Sequence, residues 1–340
     1  MISASAPGKI ILFGEHAVVY GQPALAIPIT QVQATATILP SPSGTIAPEV
    51  KRSGAQAGAG GEGKLWIEAL NLGRRYRLSD ADPRDPLAAA VRLTCAHAAL
   101  LIPAGIAISI DSTIPIASGL GSGAAVCTAL VRALAQYLNH PLTQSQISSI
   151  VFETEKLLHG TPSGIDNTVI AYARPVCFVK GQDPQPFTVA QPFRLLIADT
   201  GLASPTRITV GDVRAAWQKE PEHYEKIFAE IGGIVGEARA LIEAEQTPSV
   251  SKTLGVLMTR NHALLQQLTV SGPELDALVT AALKAGAQGA KLSGGGRGGN
   301  MLTLSTEETE AAVRSALERA GAKRVIGTTV ETRHSASLPG

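Results

Sequence analysis

The chain of 340 residues has no long apolar run, few aromatic side chains and only three cysteines. No apolar run approaches the length of about 18 residues that a membrane-spanning helix needs, and the first residues do not read as a secretory signal. Cys95, Cys127 and Cys177 are odd in number and far apart, which argues against a disulfide framework or a cysteine-based zinc site. We therefore expect a cytoplasmic protein with three reduced, mostly buried thiols and no membrane partner.

Neither sign of charge dominates the chain, because 29 Lys and Arg residues balance 28 Asp and Glu residues to a net charge of +1. Nothing in that balance favours nucleic acid or an anionic membrane as a partner. The seven histidines form no close i, i+4 pair of the kind that binds zinc in proteases. We expect no transition metal.

The length and composition predict two domains and a mixed fold. A chain of this length is long for one compact core, and 45% apolar residues with abundant Ala and Gly suit an aliphatic α/β or α+β protein. The stretch "GQDPQPFTVAQP" is the best candidate seam, so we predict an N-terminal domain over 1–185 and a C-terminal domain over 186–340, ordered over about 186–335. The Pro-, Ser- and Gly-rich segment at about 40–63 is predicted to be a mobile loop.

Periodicity predicts the order of the elements. The strand-like runs "KIILFG", "PALAIPI" and "VQATATIL", a hairpin and a helix near 85–100 come first. Apolar residues then recur at helical spacing from Ser122 onward, and the next helix repeats that pattern. The second half is predicted to be mostly helical, with strands "GAKLS", "NMLTL" and "RVIGTTV" around one further helix. This alternation indicates an α+β sandwich, with predicted helices over about 211–218, 222–246, 249–268, 273–285 and 306–320.

The stretch "APGKIILFGEHAVVYG" places charged residues at both ends of a short apolar run typical of a buried strand. Lys9 precedes the run, and Glu15 and His16 follow Gly14, which marks a turn. On these residues alone, a strand flanked by solvated charges is the simpler interpretation.

The stretch "PIASGLGSGAA", residues 115–125, lies between a strand and the helix that starts near Ser122. Glycines let successive N–H groups point inward, and the helix start adds unpaired N–H groups and the positive end of its dipole. This pattern favours a cradle for a di- or triphosphate, although it lacks the ending of a Walker loop and the Rossmann glycine pattern. The alternative is a flexible strand–helix loop.

Two further stretches carry charge beside glycine. In "ETEKLLHGTPSGIDNTVIAY", Glu155 and Asp166 flank a turn and are suited to a magnesium ligand and a proton acceptor or electrostatic anchor. The alternative is an exposed Glu155 paired with His159 and an Asp166 that caps a helix. In "KLSGGGRGGNMLTL", the role of Arg297 stays open between phosphate contact and solvent.

The order of these four stretches, over residues 4–304, resembles the GHMP kinase superfamily, and the first and third resemble its mevalonate kinases most closely. The resemblance implies a two-domain α+β fold, with an N-terminal mixed α/β domain that holds a phosphate-binding strand–loop–helix and a C-terminal α+β sandwich with a Gly-rich loop at 294–299. It also implies ATP-dependent phosphorylation of the 5-hydroxyl of (R)-mevalonate in isoprenoid biosynthesis, with Mg²⁺ as cofactor. Prenyl diphosphates as inhibitors and a homodimer are further expectations of the family.

The same resemblance assigns roles residue by residue. Lys9 is expected to reach the transferred phosphate and to sit with Asp166, which takes the hydroxyl proton or orients the hydroxyl. Glu155 is expected to bind Mg²⁺, with Ser122. The substrate-binding set is Glu15, His16, Gly164 and, on a weaker match, Thr206. The ATP-binding set is Pro115, Ser118, Gly119, Leu120, Gly121, Ser122, Gly123 and Ala124.

The sequence departs from the family at two places. The family commonly reads G-L-G-S-S-A, where the second serine gives a hydroxyl to magnesium, and here that place is Gly123, so Ser122 or a water takes the role. Arg297 and Asn300 stand where glycine and a small residue are usual. Two alternatives remain for the function: a sibling kinase for phosphomevalonate or a sugar, and a non-catalytic sensor of the same fold.

Overall fold

The computed structural model describes residues 1–41, 64–115, 118–160, 162–245 and 247–331. The predicted mobile loop lies, from residue 42 to residue 63, outside this part of the chain. The described chain divides into two compact units. Unit 1 comprises 1–8, 32–115 and 121–173, and unit 2 comprises 9–31, 116–120 and 174–340. The boundary at residue 185 stays a prediction.

Unit 1 combines a sheet with four helices. Strands β1 (Ile2–Phe13) and β2 (Ala24–Pro40) pair with each other, and the division between the units passes through both. The sheet order is β4-β3-β5-β2, in which only the β3–β5 pair is parallel. The other elements are β3 (Leu65–Ala69), β4 (Arg74–Arg77), α1 (Pro86–His97), β5 (Ile106–Ser112), α2 (Ser122–Tyr137), α3 (Gln144–His159) and α4 (Ile165–Tyr172).

Local chemistry explains where these helices begin. The Asp85 side chain accepts hydrogen bonds from the first N–H groups of α1, at 2.9 and 3.0 Å. Thr143 and Gln146 form a reciprocal capping box at the start of α3, which satisfies two backbone donors that a helix start leaves unpaired. By contrast, the N-cap residues of α2 and α4 are Gly121 and Gly164, which have no side chain to accept from the first N–H groups; in α4 the N–H of Ile165 donates instead to the hydroxyl of Ser163, at 3.4 Å.

Unit 2 is built on a four-stranded antiparallel sheet in the order β11-β8-β10-β9. One of its two central strands, β8, carries a nearly continuous buried run, and helix α7 packs on the edge strand β9. The elements after unit 1 are β6 (Val176–Phe178), β7 (Gln185–Pro186), β8 (Phe193–Asp199), α5 (Thr206–Lys219), α6 (Pro221–Glu243), α7 (Pro248–Gln267), α8 (Pro273–Lys284), β9 (Gly289–Ser293), β10 (Asn300–Ser305), α9 (Glu307–Arg319) and β11 (Arg324–Val330).

The predicted α+β class is confirmed, with differences in individual elements. The stretches "PALAIPI" and "VQATATIL", expected as two strands, form one continuous strand, β2, and the sequence does not predict α4, β7 or β8. The three cysteines are buried free thiols, as expected, and burial raises the pKa of Cys95 and of Cys127 to about 12. Within the described residues, none of the helices is long and apolar enough to cross a membrane.

Candidate active site

Lys9 lies in β1 and is only 4% exposed. Its backbone N–H donates a hydrogen bond to the carbonyl of Leu120, at 2.9 Å. The strand is therefore bonded, at the lysine itself, to the glycine-rich loop that the sequence predicts to bind phosphate. A lysine this buried is not the solvated residue of the simpler interpretation, because lysine is almost never buried without a compensating partner.

The turn after β1 depends on glycine. Gly14 has a φ of 96°, and a Cβ built there would lie 2.5 Å from the carbonyl oxygen of Pro23. No other residue fits this close backbone approach. The turn directs the next two side chains, Glu15 and His16, into the protein, where they are 1% and 6% exposed.

His16 is held by the Gly-rich loop of residues 294–299. Its Nε2 lies 3.1 Å from the carbonyl oxygen of Gly295, which only accepts, so Nε2 carries the proton and Nδ1 is left as an acceptor. Burial is the main cause that lowers the pKa of His16 to about 4, with Arg297 adding to it. The imidazole is therefore neutral near pH 7.

Glu15 forms a buried ion pair with Lys291 of β9, and both side chains are fully buried. The Lys291 ammonium also donates to the carbonyl of Leu292, at 2.7 Å. Burial raises the pKa of Glu15 and lowers the pKa of Lys291, while their mutual attraction opposes both shifts. Among the described residues, Glu15 Oε2 is buried and has no hydrogen-bond partner. The sequence prediction missed Lys291; the signal was one charged residue inside the strand "GAKLS".

Thr206 lies at the first position of α5, against the Gly-rich loop. A Cβ built on Gly295 would lie 2.4 Å from Thr206 Oγ1, and Ser204 Oγ donates to the carbonyl of Gly296, at 2.9 Å. The structure thus brings Thr206 and His16 to the same glycine, and a role of Thr206 in substrate binding stays a prediction.

Arg297 makes its hydrogen bonds and its ion pair within its own unit. It adopts a left-handed conformation with a φ of 52°, and its Nε donates to the carbonyl of Thr269, at 3.1 Å. Its guanidinium forms an ion pair with Asp212 of α5. These contacts fix the Gly-rich loop against α5, so we assign Arg297 a structural role in the loop.

Asn300, the second departure in this motif, donates through Nδ2 to the carbonyl of Ser118. Gly119, next to Ser118, has a φ of 81°, a conformation that favours glycine. The larger residue at position 300 therefore bonds the backbone of the loop that the sequence predicts to bind phosphate.

In unit 1, Glu155 faces the start of α2. Its side chain is buried, at 3% exposed, and a Cβ built on Gly123 would lie 3.2 Å from Glu155 Oε1. The alternative of a solvent-exposed Glu155 is therefore wrong. Gly121 precedes α2 in a left-handed conformation with a φ of 75°. Gly123 is not among the residues with positive φ.

Asp166 lies in the first turn of α4, after Gly164 with its φ of 93°. The helix N-cap is Gly164, so the alternative of Asp166 as the cap is wrong. The neighbouring Asn167 anchors this turn to α3, because its Nδ2 donates to the carbonyl of Ser148 at 3.1 Å and to its hydroxyl at 2.9 Å. Asp166 itself is partly exposed.

The structure brings the predicted residues together in two sets. Unit 1 holds Ser122, Gly123 and Glu155 around the start of α2, and unit 2 holds Glu15 and His16 beside Lys291 and Gly295. The predicted pairing of Lys9 with Asp166 stays a prediction. Within the described part of the chain, no group of three or more His, Cys, Asp or Glu residues is arranged to hold a metal ion.

Comparison with known proteins gives matches along the whole chain. The family model for the N-terminal domain of GHMP kinases matches residues 86–174, and the model for their C-terminal domain matches 248–323. The mevalonate kinase of Thermococcus sibiricus is 35% identical over 331 residues, covering 96% of this chain and 95% of its own. That of Pyrococcus horikoshii is 36% identical over 312 residues, covering 89% and 88%.

Solved structures agree with the sequence matches. The structure of L. major mevalonate kinase in complex with R-mevalonate superposes with a TM-score of 0.77 and 27% identity, covering 98% of this chain and 97% of that one. The Methanococcus jannaschii mevalonate kinase also gives a TM-score of 0.77, at 24% identity and with 98% of each chain covered. The second match supports the fold alone.

Proposed function

Because this chain belongs to the GHMP kinase superfamily and, within it, to the mevalonate kinases, we propose that it transfers the γ-phosphoryl group of ATP to the 5-hydroxyl of (R)-mevalonate. The product is 5-phosphomevalonate, an intermediate of isoprenoid biosynthesis. The observation that carries this proposal is 35% identity to a mevalonate kinase over 96% of the chain.

Phosphoryl transfer needs little covalent chemistry from the protein and depends on positioning and charge neutralisation. We assign the phosphates of ATP to the loop 115–125. The uncapped start of α2 supplies free N–H groups and a positive dipole end. Lys9 supplies a cation on a strand bonded to the same loop, at Leu120.

Asp166 is our candidate for the proton of the acceptor hydroxyl. It lies in the first turn of α4, and Asn167 anchors that turn to α3. A fixed carboxylate either takes the proton as a general base or orients the hydroxyl. An asparagine at this position keeps a hydrogen-bond acceptor but neither takes the proton nor supplies the negative charge of the carboxylate.

The residues near the start of α2 fit Mg²⁺. Glu155 offers a buried carboxylate and Ser122 a hydroxyl, and both are hard oxygen donors. Mg²⁺ is usually held by one or two carboxylates together with substrate phosphates and waters. A magnesium site at this place therefore does not need three protein carboxylates. The ion, when bound, would neutralise charge on the phosphates.

On the acceptor side we place Glu15, His16 and Thr206. Glu15 and Lys291 compensate each other's charge, and burial keeps His16 neutral near pH 7. This set offers hydrogen-bond acceptors and donors but no surplus positive charge for a second phosphate. The composition of this group favours mevalonate over phosphomevalonate as the acceptor.

A coupled assay offering ATP with mevalonate, phosphomevalonate or galactose tests the proposal. We expect turnover with mevalonate at least tenfold above that with either alternative, since one missing or misplaced polar contact costs about that much. Preferred turnover of phosphomevalonate or galactose would show a sibling kinase, and ATP binding without turnover of any acceptor would show a sensor. The variant Asp166→Asn serves as the inactive control.

A further inference from the structure

The buried ion pair between Glu15 and Lys291 joins two distant parts of unit 2. Glu15 follows the turn after β1, and Lys291 is the middle residue of β9, 276 positions later. Both side chains are fully buried. A buried ion pair gains little net stability over apolar residues, because removing both charges from water is costly. Its presence here calls for a reason other than stability.

The two carboxylate oxygens of Glu15 have different surroundings. Oε1 accepts from the Lys291 ammonium, whereas Oε2 is buried and has no partner among the described residues. A buried polar atom without a partner is costly and rare in native proteins. An oxygen fixed in this way is suited to accept a hydrogen bond from a bound molecule.

From this we propose that Lys291 is a positioning residue, which keeps the Glu15 carboxylate ionised and holds Oε1 so that Oε2 accepts a hydrogen bond from a hydroxyl of the acceptor substrate. The inference rests on the proposed kinase function and deepens it. An ionised carboxylate only accepts hydrogen bonds, so this position selects a hydroxyl and rejects a carboxylate or phosphate of the ligand.

Of the charged and titratable groups around Glu15, Lys291 is the one suited to keep its carboxylate ionised. Lys9 of β1 attracts the carboxylate more weakly than Lys291 does, and His16 is neutral because of burial. His262 of α7 accepts from the Leu292 N–H through Nδ1, at 3.3 Å, and its Nε2 lies 3.1 Å from Asp276 of α8. Burial lowers the pKa of His262 as well, so it adds no cation near neutral pH.

Removing Lys291 tests the proposal through the pH dependence of KM. In Lys291→Met the buried carboxylate loses its adjacent cation, so its pKa rises further and the protonated form, which cannot accept in the same way, is favoured. We expect KM for mevalonate to rise about tenfold or more at pH 7, the size of one lost hydrogen bond to a charged group. KM should fall again as pH rises from 7 to 9 and the carboxylate ionises. KM for ATP should stay unchanged.

Three further variants separate positioning from folding. Lys291→Gln keeps a hydrogen-bond donor without the charge and should show the same pH dependence. Glu15→Gln and the double variant Glu15→Gln/Lys291→Met should share one raised KM that does not vary with pH. The double variant should unfold at a higher urea concentration than Lys291→Met, because it leaves no buried carboxyl group without its cation. Lys284→Met, on the exposed side of α8, is the control for the substitution.

The inference is overturned if KM for mevalonate in Lys291→Met is unchanged, or is raised by the same factor at every pH. It is also overturned if the double variant recovers the KM of the unmodified enzyme. If neither single Lys291 variant folds, the double variant still decides, since a KM above that of Glu15→Gln would show that Lys291 acts other than through Glu15. Absence of mevalonate turnover in the unmodified enzyme would instead refute the proposed function.

Discussion

The glycine at position 123 has two possible explanations: the start of α2 has lost a metal ligand, or this position requires a glycine. The family commonly has a serine at this place. Gly123 is the second residue of α2 and is not among the residues with positive φ, so a side chain here meets no backbone strain. What a side chain meets is crowding, because a Cβ would lie 3.2 Å from both Glu155 Oε1 and Leu158 Cδ1.

The effect of Gly123→Ser on stability is small because two contributions oppose each other. Replacing glycine by serine within a helix gains a few tenths of a kcal/mol, roughly. Moving a neighbouring side chain off its preferred rotamer costs about 0.5–1.5 kcal/mol. Leu158 is 47% exposed and can move, whereas Glu155 is 3% exposed. We expect the unfolding free energy to change by less than about 1 kcal/mol, which is at most about 4 °C in Tm.

The effect on magnesium use is the larger one. The serine hydroxyl would lie beside the Glu155 carboxylate and add a second hydroxyl to that of Ser122. One additional interaction of about 0.5–1.5 kcal/mol lowers the Mg²⁺ concentration for half-maximal activity by about two- to tenfold. Among residues 121–124 of the unmodified chain, Ser122 alone carries a hydroxyl, so Ser122→Ala should raise that concentration and lower kcat.

Two controls isolate the hydroxyl. Gly123→Ala adds the same Cβ without an oxygen, and Gly236→Ser adds a serine to α6 at a position where a Cβ meets no atom within 4 Å. Magnesium titrations of kcat and thermal unfolding are measured for all three. Equal magnesium requirements in Gly123→Ser and Gly123→Ala would refute the idea that the chain has lost a ligand. A fall in Tm of 10 °C or more in both would show that position 123 needs glycine for space.

The remaining predictions concern Asp166, Glu155, His16 and prenyl diphosphates. Asp166→Asn should lower kcat by about 10²–10⁴ while ATP binding, measured by calorimetry, persists; more than about a tenth of kcat remaining would contradict its assignment. Glu155→Gln should raise the Mg²⁺ requirement, since an amide is a poorer ligand for a hard cation, and an unchanged titration would place the ligand elsewhere. Because burial lowers the pKa of His16 to about 4, the unfolded state binds more protons between about pH 6.5 and pH 4. The contribution of His16 to the free energy of unfolding is therefore complete above that range and is lost as pH falls through it. In His16→Asn, whose side chain tolerates a positive φ, urea unfolding should show a smaller loss of stability over the same pH range. Geranyl or farnesyl diphosphate should inhibit competitively with ATP, because the loop 115–125 is predicted to bind phosphates; inhibition competitive with mevalonate would contradict this.

The sequence predicts the long, regular elements of this chain well. Helix α2 follows from apolar residues at helical spacing after a glycine-rich loop, and its predicted start at Ser122 agrees with the structure. Strand β8 is missed because its apolar run follows a Pro-rich stretch that reads as a linker. Helix α4 is missed because it has only eight residues, "IDNTVIAY", and its Thr, Val and Ile residues favour strands.

Glu155 and Arg297 show where local pattern stops being informative. A glutamate late on a helix is usually exposed, and this one is buried because α3 packs on neighbouring helices, α2 among them. Arg297 follows Gly296 in a loop, so its charge suggests a ligand contact. Its actual partners, Thr269 and Asp212, lie on segments 28 and 85 positions away. Neither the burial of Glu155 nor the partners of Arg297 can be predicted from the residues that surround them in the sequence.

Lys291 has such a signal, and it is a physical one. All five residues of β9 are buried, because α7 packs closely on this edge strand: a Cβ on Gly255 would lie 2.1 Å from the carbonyl oxygen of Gln288. A lysine within a strand buried in this way requires a partner of opposite charge. The buried turn after β1 offers one acid, Glu15. Taken alone, each of the two residues suggests a solvated charge. Once both positions are known to be buried, an ion pair between them is the expected arrangement.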